Sequence, residues 1–371
     1  MKILVINWQD IKNPLGGGAE VHAHEIFKRI ALMGHDVTFF SCKVDDLPNE
    51  EVVDGIKIIR KGGRNTFNFV VPYWYYKKFS HENYDIIVDD INKIPFFTPL
   101  FIKEPIVGIS HHFFGKSIFK ETNPIFGLYV FLSEYLVNQI YPSINFAVVS
   151  ESTLQEFINR GFSRNKFTLV YNAFDKENFP MRVSHKNTFP TITYFGRLKK
   201  YKSVDHLFIS FAKIIKDYPE AKLEIIGKGD FRPYLEKLSD TLAIKDKVTF
   251  HGFVDDNEKI ELLSKSWIVV NTSMKEGWGI TNIEANACGT LVISSNVEGL
   301  KDSVKVDTSG LLYTYGVTDE LAHKLINLIE NAELRMKLSN GAVLWADNFS
   351  WEKSAAVMIE LMERTIREKR K

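Results

Sequence analysis

Short apolar runs recur along this chain with stretches of helical spacing between them, and that alternation limits its fold more than any other feature. The runs fall at residues 2–6, 37–40, 85–88, 106–109, 145–150 and 167–170, and again at 223–226, 267–271 and 291–294, with strand patterns of mixed character at 191–195 and 247–253. Runs of that length joined by helices give parallel strand–helix–strand units. The polar stretch 180–190, with Ser184-His185-Lys186-Asn187 at its centre, divides the two series and is expected to be a linker. At 371 residues the chain is too long for one comfortable core, so two α/β domains are expected, over residues 1–182 and 190–346. A C-terminal helix over 351–368 follows, and the basic tail Arg367-Glu368-Lys369-Arg370-Lys371 should be frayed and solvated.

The unit around residues 267–294 carries the most chemistry. An apolar strand leads into Glu276-Gly277-Trp278-Gly279-Ile280-Thr281-Asn282-Ile283-Glu284, and a helix is expected to open near Gly279. The glycines let the backbone approach a ligand, and the first amides of the helix, at Gly279, Ile280 and Thr281, offer free donors at the positive end of its dipole. Glu276 stands before that helix start and Glu284 more than a turn into it, too far apart to grip one ligand atom. Acids on both sides of an anion-binding centre suit a ligand with a phosphate in the middle and hydroxyl-rich groups at its ends, which is the shape of a nucleotide-sugar. The plainer account is a strand-to-helix turn with two solvated glutamates.

Upstream, the strand at 191–195 ends in Gly196-Arg197-Leu198-Lys199-Lys200-Tyr201-Lys202. The forked donors of Arg197 and the point charge of Lys202 suit a diphosphate whose charge grows as it departs; Lys199 and Lys200 read as solvated. In the first half, Gly16-Gly17-Gly18 precedes a helix with Val21, Ile26 and Ile30 on one face, and could hold a phosphate by backbone amides. A dinucleotide fingerprint fits poorly, because about nine residues separate strand and glycines and Val21 stands where its last small residue belongs. Ser110-His111-His112 lies at the carboxyl end of a strand, where open α/β sheets bind ligands. Asp89-Asp90 reads as a pair of solvated loop acids.

Several classes are disfavoured by the totals. A net charge of +1 offers no basic field for nucleic acid. Cys42 and Cys288 form neither a disulfide framework nor a metal set, and suggest a reducing compartment. Met1-Lys2 runs straight into a strand pattern, from which no leader peptide and a cytoplasmic location are expected. No Asp-x-Asp and no His-Glu-x-x-His occurs, so neither a metal nor another cofactor is expected. Two aromatic stretches, 67–79 and 113–141, could form an acceptor surface or a peripheral contact with the inner membrane face; packing between layers is the simpler account.

Glu276 and Glu284, with seven residues between them that include a Gly-Trp-Gly, resemble the paired-glutamate motif of the family 4 retaining glycosyltransferases. Gly196-Arg197-Leu198 with Lys202, and the later 297–302 and 309–312, resemble elements of the same family; Ser203 departs from it, standing where glycine usually follows the lysine. The resemblance implies the GT-B fold: two Rossmann-like domains facing across a cleft, with the C-terminal helix crossing back to the first. It implies retaining transfer of a hexose from a UDP- or GDP-sugar to a hydroxyl of a glycan or lipid-linked acceptor, without an enzymic nucleophile. Arg197 and Lys202 would bind the diphosphate, Glu276 the sugar and Glu284 the ribose, while Gly17 and Gly18 would face the phosphates and His111 would reach the sugar from the acceptor side. A nucleotide-sugar 2-epimerase of the same fold, and a non-catalytic sugar-nucleotide or glycan-binding subunit, are the alternatives.

Overall fold

The computed structural model describes residues 1–91, 94–120 and 122–370. They divide into two compact units, residues 1–173 with 351–370 and residues 174–350. The first holds β1 (Lys2–Ile6), α1 (Gly18–Leu32), β2 (Asp36–Ser41), β3 (Glu50–Val53), β4 (Ile56–Arg60), α2 (Phe67–Lys77), β5 (Ile86–Ile91), β6 (Ile106–Ser110), α3 (Pro124–Ile140), β7 (Asn145–Val148), α4 (Glu151–Asn159) and β8 (Phe167–Leu169). Its sheet runs in the order β3-β4-β2-β1-β5-β6-β7-β8 and is parallel except for the β3–β4 pair. Ile3, Leu4, Val5 and Ile6 are buried on both faces, so β1 contributes an unbroken apolar run to the centre of this sheet.

The second unit holds β9 (Thr191–Phe195), α5 (Val204–Ile214), β10 (Lys222–Ile226), α6 (Arg232–Thr241), β11 (Val248–Gly252), α7 (Asp256–Lys265), β12 (Ile268–Asn271), α8 (Ile280–Ala287), β13 (Leu291–Ser295), β14 (Gly310–Tyr313), α9 (Thr318–Glu330) and α10 (Ala332–Ala346). All six strands are parallel, in the order β11-β10-β9-β12-β13-β14. The strand order therefore reverses between β9 and β12, which pair through Ile268 with Ile192 and Val269 with Thr193. Leu207, Phe208 and Phe211 of α5 close the core over Ile192, Leu223 and Ile225. The chain then returns to the first unit as α11 (Trp351–Arg370), which packs along α1 and donates from Ser354 Oγ to the Tyr171 carbonyl at 2.7 Å.

Four expectations change. The stretch 180–190 is not a free linker but part of the second unit: Met181 N donates to Ala287 O, and Lys186 Nζ bonds Ser264 O (2.9 Å) and Thr290 Oγ1 (2.6 Å). The boundary accordingly falls at 173/174. The tail at 367–370 is helical, continuing α11 with its cations near the negative end of the dipole; Lys371 lies outside the described residues. Val21 faces outward, and α1 buries His22 and Phe27 together with Ile26 and Ile30. The aromatic stretches do not disappear between layers: α2 buries Phe67, Val71 and Tyr75 but exposes Phe69, Tyr73 and Tyr76.

Candidate active site

In open α/β sheets, loops leaving the carboxyl ends of strands at the reversal of strand order form a crevice. In the second unit those are the loops after β9 and β12, and they carry the two cations and the first glutamate. Two hydrogen bonds stitch them together, Met274 N donating to Tyr201 O (2.9 Å) and the Thr272 hydroxyl Oγ1 to Lys202 O (2.9 Å). Lys202 Nζ donates to Glu276 Oε1, both side chains being largely enclosed, whereas Arg197 is exposed at the same rim. Tyr194, buried at the end of β9, donates from its hydroxyl to the Arg197 carbonyl at 3.1 Å; burial foremost, then the nearby Glu276, pushes its phenol far above the usual range. Ser203 takes up a left-handed conformation (φ +48°) that glycine would adopt freely, and the turn is kept with its Oγ 2.9 Å from Tyr315 Oη.

The helix start is built as expected. Gly279, at φ +101°, caps α8, and a Cβ on it would lie 2.8 Å from both Leu300 Cδ2 and Ser303 Oγ. Residues Gly279 to Thr281 have no preceding turn to take their amides, which are left as donors at the mouth of the helix. Beneath them Asn282 is wholly buried and donates to Ser294 Oγ and Ser303 Oγ, each at 2.8 Å, while Asn271 Nδ2 reaches Thr281 Oγ1 at 3.1 Å. Gly299 presses on the loop from the other side: a Cβ there would stand 2.0 Å from the Glu276 carbonyl oxygen. Glu284 is no solvated acid. Its carboxylate meets Lys259 Nζ of α7 at 2.9 Å with only 13% of the side chain exposed. Burial raises its pKa against the partial relief from Lys259; that lysine, opposed by burial but held by Glu284 and Asp256, is raised as well.

In the first unit the reversal lies between β1 and β5. The loop after β1 is pinned by Arg60, whose Nε and Nη2 each donate to a different oxygen of Asp10 at 2.7 Å, all of it buried. Burial would raise the Asp10 pKa, yet Arg60 and Ser41 hold it below the usual range. Gly17 caps α1 and Gly18 is its first residue; the Gly17 amide already donates to Glu20 Oε2 at 2.6 Å. Asp89 and Asp90, expected in solvent, are instead fully buried within β5. Asp89 accepts from Thr98 Oγ1 (2.5 Å) and Tyr141 Oη (2.7 Å), and burial pushes its pKa up to about 6. Asp90 accepts from Asn7 Nδ2 at 2.8 Å, tying the ends of β1 and β5 together. Its other oxygen lies 3.4 Å from His111 Nε2, within ion-pair range but not aligned as a hydrogen bond. His22, edge-on to the His111 ring at 5.1 Å, donates through Nε2 to Val170 O; burial, with His111 beside it, pulls its pKa down to about 3 and keeps it neutral.

Comparison with known proteins places this architecture. The sequence model described as Glycosyltransferase Family 4 matches residues 16–178, and that described as Glycosyl transferases group 1 matches 175–345, so that together they take in most of the chain. The chain belongs to the family 4 glycosyltransferases. It is 26% identical over 379 residues to an uncharacterized glycosyltransferase of Methanocaldococcus jannaschii, covering 96% of each. In structure it is similar to sucrose-phosphate synthase from Thermosynechococcus elongatus (TM-score 0.79, 19% identity, 98% of both chains). It is likewise similar to HepE of Anabaena, solved in complex with UDP (TM-score 0.76, 19% identity, 98% of this chain and 100% of that one). These likenesses identify the fold as GT-B.

Within this family 4 glycosyltransferase the structure gathers Arg197, Lys202, Glu276, Gly279, Ile280, Thr281 and Glu284 around one end of the second sheet, and Gly17, Gly18 and His111 at the corresponding strand ends of the first. Sequence reasoning missed Lys259, Asn282 and Tyr194 in the second unit, and placed Asp90 of the first in solvent. The adjacent Asp89-Asp90 was a visible signal, two acids at the end of an apolar run. Lys259 had none, since its partner Glu284 lies 25 residues away.

Proposed function

We propose that this glycosyltransferase moves a hexose from a UDP- or GDP-sugar to a hydroxyl of a glycan or lipid-linked acceptor, with retention at the anomeric carbon and without a divalent metal. The observation that carries the reading is the Lys202–Glu276 pair beside the open start of α8, with exposed Arg197 on the same rim. Arg197, Lys202 and the amides of Gly279, Ile280 and Thr281 bind the diphosphate and take up the charge that grows on it as the C1–oxygen bond breaks. Glu276, turned toward Lys202 here, grips the sugar hydroxyls; Glu284, steadied by Lys259, holds the ribose. The acceptor oxygen forms the new bond to C1 on the same face, and its proton passes to the departing phosphate oxygen. Gly17 and Gly18 serve the phosphates, while His111, with Asp90 beside it, orients the sugar. Binding of UDP by HepE is in keeping with a nucleotide-sugar donor.

Thermal-shift titration with uridine, guanosine and adenosine diphosphate sugars in the presence of chelator tests the donor, and NMR of the product anomer tests retention. Arg197→Ala and Glu276→Gln, made separately, should each lower transfer by about 100- to 1000-fold with the melting temperature unchanged. Full transfer by both variants refutes the site, and loss of transfer on chelation refutes metal independence.

A further inference from the structure

Helix α3 is amphipathic the wrong way round for a soluble protein. Its outward stripe is Ile125, Leu128, Tyr129, Leu132, Tyr135 and Leu136, spaced at three and four residues and each 41–82% exposed. Its inward face holds Val130 and Val137 but also Ser133 and Glu134, the one charged residue of the helix. The Glu134 carboxylate is satisfied inside, accepting from Phe114 N at 2.6 Å and Gly115 N at 2.8 Å. Polar groups have thus been given internal partners while large apolar ones face out. A contiguous patch of that makeup marks a contact surface.

Neighbouring α2 adds to it. Asn68 Nδ2 of α2 donates to Tyr129 Oη of α3 at 2.8 Å, and α2 presents Phe69, Tyr73 and Tyr76 outward. The border is basic: between Asp54 and Glu82 the chain has six Lys and Arg and no acid. Lys77 lies over Tyr73 and Trp74, and Lys61 over Trp74; neither has a carboxylate partner among the described residues. Among those residues no helix is long and apolar enough to cross a membrane.

We propose that the α2–α3 face docks on a lipid bilayer with anionic headgroups. Aliphatic and aromatic side chains enter the headgroup–acyl boundary, tyrosine hydroxyls stay at its wet edge, and Lys61 and Lys77 meet the lipid charge. A second copy of the chain fits less well, since a two-fold contact would set this basic border against itself. Docking extends the reading above by saying where an acceptor would be presented, and rests on it only there; binding to lipid does not depend on the donor.

Flotation of the full chain with vesicles tests this. Partition should be at least about tenfold stronger on phosphatidylglycerol–phosphatidylcholine mixtures than on phosphatidylcholine alone, and should weaken at about 0.5 M salt. The triple variant Ile125→Ser, Leu132→Ser, Leu136→Ser should lose at least about tenfold of that partition, with its melting temperature and its thermal shift on nucleotide-sugar unchanged. No partition by the wild-type chain, equal partition by the triple variant, or a wild-type dimer that the triple variant converts to monomer each overturn the proposal. A missing thermal shift with intact vesicle binding counts against the donor reading alone.

Discussion

Gly299→Ala perturbs the glutamate loop without touching a side chain that meets substrate. Gly299 sits at φ +80°, a region that costs an alanine about 1–2 kcal/mol. Its new Cβ would stand 2.0 Å from the Glu276 carbonyl oxygen and 2.7 Å from the carbonyl carbon, backbone atoms that no rotamer change can move aside. Since a comfortable carbon–oxygen contact is about 3.3 Å, the loop must shift by roughly 1 Å. Overpacking of that kind adds about 1–3 kcal/mol, for a total of about 2–5 kcal/mol. With the role proposed above for Glu276, a displacement of roughly 1 Å costs about 100-fold in turnover. Gly316→Ala is the control: its φ is +85° but nothing lies within 4 Å of its new Cβ, so it bears the conformational cost alone, about 1–2 kcal/mol, with turnover unchanged. Urea unfolding and transfer rates at saturating donor measure both. Gly299→Ala within about 1 kcal/mol and twofold of Gly316→Ala would refute the claim that Gly299 sets the position of Glu276.

Lys259→Met should strand the Glu284 carboxylate and cost about 3 kcal/mol in chemical unfolding, whereas the double variant with Glu284→Gln should recover most of it; additive losses would show the pair to be uncoupled. Ser203→Ala should lose about 1 kcal/mol with the Tyr315 contact, while Ser203→Gly, losing the same contact but gaining backbone freedom, should stay within about 0.5 kcal/mol of wild type. Equal losses in the two variants would mean that the left-handed turn carries no strain. Burial pulls the Lys186 ammonium down to about 7 from 10.5, so the unfolded chain binds its proton more tightly in that window. Its contribution to stability is complete above 10.5 and lost as pH falls toward 7. The two oxygens that accept from the ammonium reduce the effect to about 2 kcal/mol, and Lys186→Met should flatten the difference between unfolding at pH 7 and pH 10 by that amount.

The strands that were easiest to read are those buried on both faces: β1 and β12 are near-continuous apolar runs and β13 opens on one, and the start of α8 was legible because Gly279 stands where the backbone must turn. Asp89 and Asp90 were misread because an acid ends an apolar run by ordinary rules; what buries them are Thr98, Tyr141 and Asn7, up to 83 residues away. A separation of 25 residues likewise hid Lys259 from Glu284. The stretch 113–141 was legible only as aromatic; composition does not say which face of α3 turns inward, and the answer depended on two loop amides that satisfy Glu134. The stretch 180–190 has the composition of a linker and is held in place by contacts that only the assembled second unit provides.

α11 follows the second unit in the chain yet belongs to the first, where Trp351, Met358 and Met362 are buried and Asn145 Nδ2 donates to Thr365 Oγ1. A ribosome making this protein must therefore produce all of residues 174–350 between the strands of the first unit and the helix that covers them. At roughly 5–20 residues per second that is on the order of 10–40 s. Throughout that interval the α1 flank stays uncapped, so the second unit can finish folding before the one that precedes it in translation.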